Sequence, residues 1–99
     1  MITLTVGAAR KPREGREAIG HAEFVQGLLN DKRFEEMMVD TADSIVSEWA
    51  KAQNPQVREA AWHKLQGINN ILRQMQADVD QGIRAAKEFE RAQQSDQPV

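Results

Sequence analysis

The chain has 99 residues, 13 basic and 15 acidic side chains, and no cysteine. Single domains commonly run to about 100–150 residues, so there is room for one, and a mean hydropathy of -0.63 with 5% aromatic residues leaves a lean supply for its core. The missing cysteines exclude disulfides, iron–sulfur clusters and thiolate zinc sites, and a net charge of -2 provides no overall field toward nucleic acid or acidic lipid. No run approaches the roughly 18 apolar residues of a membrane span, and Met1–Val6 lacks the basic and long apolar regions of a signal peptide. A small helical protein of the cell interior is the expectation.

Residues 1–6 alternate Ile2, Leu4 and Val6 with Thr3 and Thr5, a period-two strand pattern with no second strand to pair with. Such an end commonly frays. Its functional reading is an arm adding a strand to a partner's sheet edge. Residues 7–17 carry Gly7, Pro12 and Gly15, which punctuate against regular structure, and four basic residues, Arg10, Lys11, Arg13 and Arg16. The segment reads as a solvated linker that could also touch nucleic acid or an acidic protein surface. Residues 1–17 are thus expected as an extended arm.

From Ala18 the pattern becomes helical. Ile19, Ala22, Val25 and Leu29 form a stripe over 18–29, with Phe24 and Leu28 beside it. Asn30-Asp31 then offers a cap, because an aspartate side chain accepts from free N–H groups two or three residues on. That favours a break there, with one continuous helix as the alternative. Over 32–53, Met38, Ala42, Ile45, Trp49 and Ala52 step by four and three, the seam of a coiled-coil-like stripe begun by Phe34. Asn54-Pro55 is the sharpest local signal. Asparagine caps, proline suits the first helical position, and the residue before proline is driven out of the helical region. A last helix is expected over 55–93, striped by Ala61, Leu65, Ile68, Leu72, Met75, Val79, Gly82, Ala86 and Phe89. Gly82 lies on that stripe, where close approach of a neighbouring helix would require it. Residues 94–99 read as a frayed tail.

Folding the chain at 53–55 makes the two seams face each other. Residues whose numbers sum to about 110 meet, so Trp49 lies opposite Ala61 and Trp62, Ile45 opposite Leu65, Ala42 opposite Ile68 and Met38 opposite Leu72. Extending the rule sets Asp31 against Val79, Leu28 against Gly82 and Ile83, Phe24 against Ala86, and His21 against Phe89. The fold class is therefore all-α, a long antiparallel helical hairpin with an extended N-terminal arm. Two helices bury one side each, and ordering a residue costs roughly 1.5 kcal/mol while a buried Leu-sized side chain returns about 1.5–3 kcal/mol. Met37, Val39, Val46, Ile71, Ile83 and one face of Trp62 would stay partly exposed, so oligomerisation or docking on a larger assembly is expected.

Motifs for nucleotide, serine-hydrolase and zinc-protease chemistry are missing. His63 with Glu59 has the spacing of half a metal site, but a surface i,i+4 pair is the commoner meaning, and His21 with Glu23 is treated alike. Trp49 and Trp62 could make an aromatic cage, though plugging the hairpin turn as core is favoured. Met37, Met38 and Met75 read as gap-fillers. No catalytic, cofactor-binding or metal residue is assigned.

The run Leu28-Leu29-Asn30-Asp31 with Phe34, Trp49 before the turn, then Arg58-Glu59-Ala60 and Trp62-His63-Lys64-Leu65-Gln66, ending near Gly82, resembles a group of small uncharacterised tailed-bacteriophage proteins, often encoded near head and portal genes. The resemblance covers residues 23–90 and rests mostly on helix-packing residues. Members often have proline after the aspartate cap, where this chain has Lys32. It implies a phage setting, in host cytoplasm or virion, and a non-enzymatic head, neck or assembly role with itself or other phage structural proteins as partners. The competing expectation is a small regulator or inhibitor that binds a host protein or, less favoured, nucleic acid through Arg10, Lys11, Arg13 and Arg16. No membrane or small-molecule substrate is expected.

Overall fold

A computed structural model describes residues 11–95. Three helices account for it: α1 (Gly15–Leu29), α2 (Lys32–Lys51) and α3 (Pro55–Ser95), with no strand among the described residues. The chain is all-α over this span. Ile2, Leu4, Val6 and Arg10 lie outside the described residues, as do positions 96–99.

Each helix boundary has a local cause. α1 starts at Gly15, three residues earlier than the stripe suggests, so 15–17 belong to a helix and not to the arm. Gly15 has φ +54°, a left-handed conformation that lets the chain swing from the extended Glu14 into the helix. α2 is capped by Asp31, whose carboxylate accepts from the backbone N–H of Arg33 at 2.8 Å and of Phe34 at 3.3 Å. The break at 30–31 is real, and the continuous-helix alternative is excluded. The Arg33 side chain, followed by these two N–H groups, holds the Asp31 carboxyl below the usual range. α2 ends at Lys51, two residues short of the expected limit. Asn54 Oδ1 accepts from the Val57 N–H at 2.9 Å, with Pro55 as the first residue of α3.

α3 has 41 residues, about 60 Å of helix, twice the ~30 Å that matches a small domain's diameter. It is the spine, and most packing is of α1 on its distal half, less of α2 on its first half, and least of α1 on α2. The α2 contacts run in opposite directions along the two helices. Ala52 carbonyl accepts from Arg58 Nε at 3.2 Å, and Lys64 Nζ reaches Glu48 at 3.1 Å. These pairs have sums of 110 and 112.

The α1 register differs from the expected one. Ala22, not Leu28, meets Gly82, and His21 bonds Asp78, eleven positions nearer the bend than Phe89. The break at Asn30-Asp31 is the reason: α1 does not prolong the line of α2 but settles on α3 where small residues let backbones approach. Ala18, Ala22 and Val25 are buried there, and Val79 faces them from α3. Phe24, expected against Ala86, is exposed.

Candidate interaction surface

The α1–α3 contact is the closed part of the molecule. A Cβ on Gly82 would overlap the Ala22 methyl, so the two helices touch at a distance only glycine permits. Around it sits a polar clamp. His21 Nε2–H donates to Asp78 Oδ2 at 2.8 Å, and Gln74 Nε2 donates to the other carboxylate oxygen at 2.9 Å. Burial pushes the Asp78 carboxyl up, but the hydrogen bonds from His21 and Gln74 and the charges of His21 and Arg13 outweigh it, so Asp78 lies below the ordinary carboxylate range. Gln81 Nε2 donates to the Arg13 carbonyl at 2.6 Å, and the Arg16 guanidinium stands 5.8 Å from the centre of the Phe89 ring. The two described arginines of the basic segment are thus tied to α3, and Lys11 is exposed beside them.

The α2–α3 half is open. α2 has no buried residue along its 20 positions. Its seam residues Met38, Ala42 and Ile45 are half-buried, as are Leu65, Ile68, Leu72 and Met75 of α3; Ala52, Ala61 and Val79 are buried. The tryptophans depart from the expected core position. Trp49 is 48% and Trp62 54% exposed, and with Val46 and Leu65 they line one apolar groove beside the bend. Among the described residues no third element covers the rings on the flank of this two-helix layer. Met37, Val39, Val46, Ile71 and Ile83 are exposed too.

His63 and Glu59 are 3.7 Å apart and well exposed, a solvated i,i+4 pair. No cluster of three or more metal-ligating side chains occurs among the described residues, and no helix among them is long and apolar enough to cross a membrane. No motif in the sequence marks Asp78, Gln74 and Gln81 as partners of α1. Their signal would have been the α1 register, which apolar periodicity alone does not supply.

The fold and this surface define an all-α chain with a closed α1–α3 crossing and an open apolar α2–α3 layer. Comparison with known proteins returns no matching family model, no matching curated protein and no matching solved structure.

Proposed function

We propose that α2 and the first half of α3 act as an antiparallel helical hairpin whose work is association: the protein self-associates or docks on a larger assembly and catalyses nothing. The observation that carries this reading is a 20-residue helix with no buried residue, whose half-exposed Trp49 shares a groove with half-exposed Trp62 of α3. Contiguous apolar surface of this kind marks protein interaction sites in water-soluble chains. The resemblance of residues 23–90 to small tailed-phage proteins supplies the setting, a virion head, neck or assembly component in an infected cell.

Two measurements test it together. Solution mass by light scattering should exceed the 11.2 kDa of one chain, or proteomics of purified particles should find the protein. A strictly monomeric chain missing from particles would end the proposal. Deleting residues 1–12, which leaves α1 and the Arg13 carbonyl in place, tests whether the N-terminal arm tethers the protein: lost incorporation into particles supports such an arm, and unchanged incorporation rejects it.

A further inference from the structure

We infer that the Trp49–Trp62 face is covered by a second copy of this chain, related by a twofold axis parallel to α2 and α3, so that both bends lie at one end of a four-helix dimer. This rests on the association reading and names its partner.

Position along each helix decides which side chains share the face. Val46 and Trp49 line the groove from α2, Trp62 and Leu65 from α3. Val39 and Glu35 precede Val46 by seven and eleven residues, which keeps them on its side of α2. Asn69 and Arg73 follow Trp62 by seven and eleven, which keeps them on its side of α3. The face therefore carries an apolar row with an acidic outer end on α2, and on α3 Trp62 and Leu65 beside the bend followed by Asn69 and a basic outer end. Whole-helix charge agrees: α2 has three basic residues against five acidic, and residues 55–73 have three basic against one acidic.

Two twofold axes can close such a face on its own copy. An axis across the helices lays α2 on its partner copy's α2, acidic on acidic. An axis along the helices lays α2 on the other copy's α3, antiparallel, with opposite charges facing. That second axis also preserves height along the helices, and the Glu48–Lys64 pair fixes height. Trp49 then stands level with residue 63, beside Trp62 of the other copy. Glu35 stands about one helical turn from Arg73 of the other copy, roughly 5–6 Å along the axis, within reach of two long side chains. Neither Glu35 nor Arg73 has an ion-pair partner among the described residues. The footprint is sufficient. Two helices about 30 Å long and about 20 Å across give on the order of 600 Å² per copy, or about 1,200 Å² in all, which reaches the size of stable interfaces.

The chain has no cysteine, so single-cysteine spin labels report cleanly. Labels at Gln53→Cys, at the bend, and Ser44→Cys, mid-helix, should give separations between copies that differ only through each label's distance from the axis and by far less than a helix length, because an axis along the helices makes distance independent of height. Bends further apart than the mid-helix labels by about the length of α2, roughly 30 Å, would overturn this geometry and leave self-association standing. A monomer at every concentration would overturn the second copy as occupant and leave docking on another protein as the reading to pursue. Charge exchange supplies a check independent of labelling. Arg73→Glu should weaken the dimer about tenfold, counting two symmetry-related pairs, and Glu35→Arg in the same chain should restore it. Circular dichroism of each variant confirms that the helices are intact. Weakening without restoration would contradict the pairing.

Discussion

Gly82 and Ala22 occupy one another's space so fully that a methyl group on Gly82 would collide with the Ala22 methyl and press on the Ala18 carbonyl. Gly67, on the same helix, would meet nothing within 4 Å. The same substitution should therefore have opposite signs at the two sites. Gly67→Ala gains up to about 1 kcal/mol of helix propensity. Gly82→Ala gains the same propensity but forces α1 off α3, for a net loss of about 1–2 kcal/mol. Urea denaturation of both variants checks this, and equal shifts in one direction would refute the close crossing.

Acid should loosen the α1–α3 clamp. Asp78 has a folded value below its unfolded one, so its contribution is fully present above the unfolded carboxylate range near pH 4 and is lost as pH falls through the lower folded value. Melting temperature followed from pH 6 to pH 2 should drop across that window. Asp78→Asn should flatten part of the drop while lowering stability at neutral pH. Asp31 titrates in the same direction, so a residual slope is expected.

Asn54 is the N-cap of the longest helix, through its bond to the Val57 N–H. Asn54→Ala should cost about 1 kcal/mol and Asn54→Asp much less. Calorimetry of the pair separates capping from any general effect of altering the bend.

Much of this architecture is legible in the residues, for reasons that differ from place to place. Asn54-Pro55 and Asp31 announce helix starts because capping is local chemistry between neighbours. The α2 and α3 stripes identify their inward sides because water sorts side chains along any amphipathic helix. The placement of α1 is not local. Its register depends on how the chain leaves Asn30 and on where Gly82 permits contact, and a rule of constant sums assumes a straight arm. The exposure of the tryptophans has a related cause: Trp49 has seam spacing, but among the described residues no element lies above a large ring beside the seam of this two-helix layer. Glycine suggests a break at position 15, yet the positive φ of Gly15 is where α1 begins.

Trp49 and Trp62 are the chain's only tryptophans, and both are half-exposed in one copy. Their fluorescence reports directly on the face they share. Raising protein concentration should move the emission maximum to shorter wavelength as the rings leave water, and Arg73→Glu should shift that transition to higher concentration. A maximum independent of concentration in a sample known to associate would place the interface elsewhere.

Sedimentation equilibrium across a wide concentration range tests most directly whether the open α2–α3 layer closes on its own copy. The expected result is a monomer–dimer equilibrium ending at twice 11.2 kDa. A single 11.2 kDa species from the lowest to the highest concentration would contradict it.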